Sequence, residues 1–215
     1  MKRIVLFDMD GTLIDSGLDI TLSINHVRSS CYGLEPLSVQ AVIDAINAPV
    51  RNLAEIFYAR SYYEQRARDL FEEHYFEQCI QNVAPYDGVP QLLNALHENH
   101  TIMGVATNAP SIFAKRMLNY LGLDSYFQMI LGADDVEEPK PHPQILQHHL
   151  NRYDYSPETD CAWMIGDNSK DMEAAARAGV KSIFAGWGFS SQGEGDYFAS
   201  TPESLLNIIY QKGRL

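Results

Sequence analysis

The sequence predicts a doubly wound α/β fold, a parallel sheet covered by helices on both faces, with a smaller helical unit inserted after the first strand. Three observations carry that prediction. Short apolar runs recur at residues 4–7, 102–106, 129–131, 162–165 and 182–185, with helical stretches between them. From about residue 84 onward strand and helix alternate, as in βαβ units. Between about Leu18 and Val83 that alternation is missing.

Each element has a local reason. Ile4, Val5, Leu6 and Phe7 are continuously apolar, which suits a strand buried on both faces, and the run ends in Asp8-Met9-Asp10-Gly11-Thr12. In the interrupting stretch, Tyr63, Ala67, Leu70, Phe71, Tyr75 and Phe76 recur at helical spacing, a stripe that reads as core packing. Asp87-Gly88-Val89-Pro90 opens a helix before the 102–106 strand, which ends in Thr107-Asn108. Ser111 opens the next helix and Gly122 stops it. Prolines 139, 141 and 143 hold the backbone around Lys140 extended and forbid a helix there. Ser156-Pro157-Glu158 and Thr201-Pro202-Glu203 resemble a cap, a first-position proline and a first-turn acid. The 162–165 strand runs into Gly166-Asp167, and Gly179 stops the helix that follows. The expected division is 1–14 with 84–215 as one domain and 15–83 as the inserted helical one.

Sixteen Lys and Arg against 28 Asp and Glu give a formal charge of −12, which disfavours nucleic acid and anionic membrane as partners. Cys31, Cys79 and Cys161 are widely spaced, odd in number and without ligand spacing, as expected of a reducing compartment. Lys2 and Arg3 precede an apolar run that ends after four residues, too short for a leader, and no segment has transmembrane length. The expectation is a soluble, cytoplasmic protein. The aromatics of the inserted helical stretch suit a core or an interface equally, so the oligomeric state is not readable.

Chemistry-bearing residues sit where the strands end. Asp8 and Asp10 are two apart in an extended segment and share a face, while Met9 points away. Two such anions need a cation between them. Asp8 suits a nucleophile or a metal ligand, and Asp10 a general acid or base. Thr107 and Asn108 bring a hydroxyl and an amide to the same sheet edge, where both can hydrogen-bond a phosphoryl oxygen. Lys140 offers an ammonium, and His142, between two prolines, reads as a structural hydrogen-bonder or an exposed loop residue. Asp167 and Asp171 lie one helical turn apart at a helix start. Four carboxylates with one lysine call for a divalent cation with oxygen ligands, Mg²⁺ by size, and the set describes phosphoryl transfer through an aspartyl phosphate.

These segments resemble the four motifs of the haloacid dehalogenase superfamily of phosphohydrolases: Asp8-Met9-Asp10-Gly11-Thr12, Thr107-Asn108, Lys140, and Gly166-Asp167 through Asp171, in the family's order across the chain. The resemblance implies a Rossmann-like core with an inserted helical cap. It implies Asp8 as nucleophile and Asp10 as the acid that protonates the leaving group and then activates water. Asp8, the Asp10 carbonyl and Asp167 would ligate Mg²⁺, with Asp171 supporting the metal from behind. Thr107, Asn108 and Lys140 would hold the phosphoryl group.

Pro85-Tyr86-Asp87-Gly88-Val89, Gly104 through Asn108 and Pro139 through Pro143 look most like the phosphoglycolate phosphatase-like group. Two departures stand out: Asn168 where that group commonly has a small hydroxyl residue, and Ile46-Asn47-Ala48-Pro49-Val50-Arg51 in place of a glycine-containing cap loop. Arg51 is the cap candidate for gripping an anionic part of the substrate, against the alternative of a surface arginine. Trp187-Gly188-Phe189 reads as an entrance wall or a packed loop. The reading is a phosphatase acting on a small phosphorylated metabolite, phosphoglycolate among the candidates. A sugar phosphomutase shares this core. A haloalkanoate dehalogenase would not need Asp10. A receiver-like signalling module would carry its aspartate in mid-chain, and a non-catalytic binding protein would lack part of the set.

Overall fold

The computed structural model describes residues 1–48 and 52–211. In chain order the elements are β1 (Arg3–Phe7), β2 (Ile14–Asp15), α1 (Gly17–Tyr32), α2 (Val39–Asn47), α3 (Leu53–Tyr58), α4 (Gln65–Gln78), β3 (Ala84–Pro85), α5 (Val89–Glu98), β4 (Ile102–Ala106), α6 (Ser111–Tyr120), β5 (Met129–Leu131), α7 (Gln144–Arg152), β6 (Cys161–Gly166), α8 (Ser169–Ala178), β7 (Lys181–Ala185), β8 (Tyr197–Ala199) and α9 (Pro202–Gln211). The chain forms two compact units, one of residues 1–14 with everything from Pro85 onward and the other Asp15–Ala84.

The first unit is the α/β fold. Its six strands run in the order β5-β4-β1-β6-β7-β8, and every pairing is parallel. Strand order reverses at β1: the chain builds outward through β4 and β5, then crosses to β6 on the other side. Ligand crevices in such sheets open at this reversal, beyond the carboxyl ends of the strands. Register makes the exits level. Phe7 pairs with Val105 on one side and Ile165 on the other, so Asp8 stands beside Ala106 and Gly166, with Thr107 and Asp167 one residue beyond.

Burial explains why β1 lacks polar alternation. Ile4, Val5, Leu6 and Phe7 are all fully buried, because helices cover both faces. Ile4 and Leu6 pack with Ala162, Met164, Ile145, Leu146 and Ala175, joining the central strands to α7 and α8. Complete burial of aliphatic side chains of this size contributes about 2 kcal/mol each.

His149 of α7 belongs to this layer. It is fully buried, with Nε2 2.9 Å from the Val105 carbonyl and Nδ1 3.2 Å from the Tyr153 hydroxyl. Burial pushes its basicity down to about 4, against the Val105 contact, which raises it, and with His148 adding to the fall. The unfolded chain binds this proton near pH 6.5, so its stabilising contribution is present above about 6.5 and is lost as pH falls toward 4. Urea unfolding at pH 7.5 and pH 5 is therefore expected to show wild type losing about 2 kcal/mol more than His149→Gln. Parallel losses in both proteins would contradict this assignment.

The second unit is helical. Ile24 and Val27 of α1, Val42 and Ala45 of α2, Phe57 and Tyr58 of α3 and Ala67 of α4 form its core, with Tyr63, Leu70 and Phe71 partly buried against it. The aromatic stripe thus packs inward. Polar groups buried here are paired: Asp19 accepts from Asn82 N, Asn82 Nδ2 and Gln78 Nε2, and Arg28 donates to the carbonyls of Glu35 and Phe57. Of the unusual segment 46–51, Ile46 and Asn47 end α2, Ala48 follows as its cap, and Pro49, Val50 and Arg51 lie outside the described residues.

Several local expectations need correction. Ser156-Pro157-Glu158 starts no helix; Thr159 N and Asp160 N both bond back to the Ser156 carbonyl, at 3.1 and 2.8 Å, because β6 begins at Cys161 and leaves room only for a turn. Around Lys140 there is no helix, as expected, but the chain turns rather than extends: His142 N bonds the Pro139 carbonyl at 3.0 Å across the cis Lys140–Pro141 peptide. The short strands β2 and β3, paired with each other, and the edge strand β8 were not anticipated. No helix among the described residues is long and apolar enough to cross a membrane.

Candidate active site

The turn after β1 is wound around one carbonyl. Thr12 N, Leu13 N and Ile14 N all point at Met9 O, at 3.2, 2.8 and 3.1 Å, while the Met9 side chain is buried in the core. Asp8 N continues the parallel ladder to Ile165 O at 2.8 Å, which fixes the backbone from which the Asp8 carboxylate projects.

Three carboxylates gather at this edge. Asp8, Asp167 and Asp171 each offer an oxygen, and these oxygens lie within 4.8 Å of one another. Lys140 joins them: its ammonium donates to Asp8 Oδ1 at 2.8 Å and to Asp171 Oδ1 at 2.6 Å while only 4% of the residue is exposed. Asp171 closes the α8 capping box by accepting from Asn168 N at 3.2 Å, and Asn168 Oδ1 accepts from Lys170 N. Asn168 is thus an N-cap, a task that asparagine performs as well as serine or threonine, so this departure from the resembling group leaves the local geometry unharmed. Gly166 lies against Asp171, and a Cβ at Gly166 would overlap that carboxylate.

The charges do not balance unaided. Burial, then Asp8, then Asp171 push the Asp167 carboxyl up to about 8. Burial also dominates at Asp171, with Asp8 adding to it and Lys140 opposing, for a rise to about 7. Burial alone would lower Lys140, but Asp171 and Asp8 outweigh it and keep the ammonium protonated. Crowded carboxylates that hold protons so tightly, with only oxygen donors, fit a hard divalent cation, which would take the place of those protons. Asp8 and Asp167 of the expected ligand set are in the group; Asp171, expected behind the metal, stands as close as they do.

Other expected residues fall as follows. Asp10 is half-buried in the turn, bridged to Ile14. Thr107 is 1% exposed, and its Oγ1 accepts from Ala109 N at 3.1 Å, which leaves the hydroxyl proton to donate. Asn108 turns its carboxamide to the Lys140 main chain. His142 pairs with Glu138 at 2.9 Å on the surface, a structural contact. Arg51 lies outside the described residues.

Sequence reasoning missed one buttress. In the Trp187-Gly188-Phe189 segment, Trp187 Nε1 donates to Thr12 O at 2.9 Å, and Ser190 N donates to Asp167 Oδ2 at 3.3 Å. Thr12 Oγ1 reaches the other Asp167 oxygen at 3.3 Å. This is a packed loop gripping the first turn and Asp167 together. Gly188 makes that contact possible, since its Cβ position overlaps the Gly11 carbonyl oxygen and lies 2.9 Å from Asp167 Cβ. Gly188→Ala is expected to destabilise the protein by about 2 kcal/mol, measured by urea unfolding, because the obstacle is backbone rather than a flexible side-chain end. A loss below about 0.5 kcal/mol would show that the loop can retreat at little cost.

Where the strand order reverses, acids and a hydroxyl at level strand exits, with a buried lysine reaching in from a turn, form a candidate site whose residues could hold an oxygen-liganded cation. Residues 5–185 match the haloacid dehalogenase-like hydrolase family, and the chain belongs to it. It is 33% identical to a phosphoglycolate phosphatase of Aquifex aeolicus over 209 residues, covering 96% of each chain. It is 29% identical to an N-acetylmuramic acid 6-phosphate phosphatase of Pseudomonas aeruginosa, over 97% of each. Among solved structures, a haloacid dehalogenase-like family hydrolase from Streptococcus pneumoniae shares the fold with a TM-score of 0.78 at 23% identity, covering 95% of this chain and 97% of that one.

Proposed function

We propose that the protein is a metal-dependent phosphatase that hydrolyses a small soluble phosphomonoester through an aspartyl-phosphate intermediate on Asp8. The observation that carries this reading is the Lys140 ammonium set between Asp8 and Asp171, beside Asp167. It sets the positive charge of Lys140 against one oxygen of Asp8 within a crowd of acids, on the carboxylate proposed to attack phosphorus.

In the first step an Asp8 oxygen attacks phosphorus, the bond from phosphorus to the ester oxygen breaks, and Asp10 gives its proton to the departing alkoxide. In the second, Asp10 takes a proton from water, whose oxygen attacks phosphorus; the bond to Asp8 breaks and phosphate leaves. Asp8, Asp167 and the Asp10 carbonyl, with Asp171 beside them, would hold Mg²⁺, which when bound would supply positive charge for the phosphoryl oxygens. The Thr107 hydroxyl donates to one of those oxygens, and Lys140 balances the charge on Asp8 and the phosphoryl group.

Selection of the substrate falls to the 15–83 helical unit acting as a cap, with Arg51 the candidate for an anionic feature. The two phosphatases compared above bear the names of different substrates, a two-carbon acid phosphate and a sugar phosphate. The class proposed is therefore a small phosphorylated metabolite, with phosphoglycolate as one member. Cys31, Cys79 and Cys161, odd in number and widely spaced, suit the cytoplasm. The test is phosphate release from a panel of phosphorylated metabolites after chelation and after Mg²⁺ is restored. Release that returns only with the metal supports the reading; release indifferent to chelation, or none from any phosphomonoester, defeats it.

A further inference from the structure

Asn108 follows Thr107 at the exit of β4, where the sequence suggests a contact with the phosphoryl group. Its carboxamide is engaged elsewhere. Nδ2 donates to the Lys140 carbonyl at 2.8 Å, and the Lys140 N–H donates to Oδ1 at 3.0 Å. Both polar atoms of one side chain thus pair with both main-chain groups of one residue, 32 positions away. The amide orientation is fixed by this pairing, since the flipped amide would face donor to donor and acceptor to acceptor.

Lys140 needs such a grip. It sits in a turn, outside any helix or strand, and prolines at 139, 141 and 143 have no N–H to offer. Yet its ammonium must arrive within hydrogen-bond distance of two carboxylates, one at the exit of β1 and one in the first turn of α8. A long, flexible side chain reaches both only if its Cα is held in place.

We propose that Asn108 is a positioning residue that clamps the Lys140 main chain to the end of β4, so that the ammonium falls between Asp8 and Asp171. Its effect on catalysis then passes through Lys140 rather than through contact with substrate. The kinetic arm of this inference rests on the phosphatase reading above; the structural arm does not.

The test is a cycle of wild type, Asn108→Ala, Lys140→Met and the double variant, assayed with an aryl phosphate. Asn108→Ala is expected to lose about 100-fold in kcat, because a displacement of about 1 Å at a reacting centre has that effect. KM is expected to stay within about twofold, and in the Lys140→Met background the further loss is expected to be under about twofold. Asn108→Asp, which keeps the acceptor for Lys140 N and loses the donor, should fall between wild type and Asn108→Ala. Equal losses in both backgrounds, or a loss carried by KM, would overturn the proposal. Amide hydrogen exchange provides the second arm: protection at Lys140 should drop by about tenfold or more in Asn108→Ala. Unchanged protection there also overturns it. If wild type releases no phosphate, the functional reading fails alone and the exchange arm still decides the clamp. Should Asn108→Ala not fold, Asn108→Asp carries both arms.

Discussion

Lys140→Met is expected to remove most turnover and to lower stability by about 3 kcal/mol near pH 8, the cost of leaving buried charges unpaired. The ammonium bonds Asp8 at 2.8 Å and Asp171 at 2.6 Å in a site that water barely reaches. Methionine fills comparable volume, so the loss reports charge rather than a cavity. The sign of the pH effect follows from the carboxyls. Asp167 and Asp171 already hold their protons more tightly than an unfolded chain does, and Asp171, whose rise Lys140 opposes, will do so more strongly without it. Their penalty grows as pH rises from the unfolded carboxyl range through about 7 and 8, and fades as pH falls. The deficit of Lys140→Met should therefore be smaller at pH 5 than at pH 8 in urea unfolding. A deficit that is negligible, or the same at both values, would mean that the lysine is not the counter-ion of this cluster.

The second large effect is kinetic. Asp8→Asn keeps the shape of the side chain and an oxygen that can still accept from Lys140, but removes the proposed nucleophile. Phosphate release is expected to fall by about 10⁴-fold or more, while thermal stability holds or rises because the cluster loses one of its mutually repelling anions. Turnover above about 1% of wild type with intact folding would reassign the attacking group.

How far the sequence carried the account depends on the range of the signal. The strand exits were legible because four consecutive buried residues before Asp8, and similar runs before Thr107 and Asp167, leave a local apolar mark. Parallel pairing then brings those exits level without further information. The close approach of the Asp171 carboxylate to Gly166, by contrast, is a contact that the structure supplies.

What escaped were contacts with no local trace. Asn108 and Lys140 meet across 32 positions through a side chain and a backbone, a pairing that neither segment announces. Trp187 and Ser190 grip Thr12 and Asp167 from the far end of the chain, through one indole and one peptide N–H. The edge strand β8 follows a run of polar residues and glycines and has only three residues, too few for a period. At Ser156 the opposite error arose. A cap, a proline and an acid satisfy the start of a helix, but the four residues left before β6 close a turn instead. The fold was therefore set by patterns a strand or a helix long, whereas the fine aim of the site rests on single hydrogen bonds between distant segments.

The central claim is a covalent phosphoryl group on Asp8. It is tested most directly by quenching the metal-supplied enzyme during turnover of a phosphomonoester, reducing with borohydride and mapping the product by peptide mass spectrometry. Reduction of an acyl phosphate to an alcohol at Asp8, dependent on substrate and on the metal, is the predicted result. The same reduction at another carboxylate, or none at Asp8 while phosphate is being released, would contradict the account.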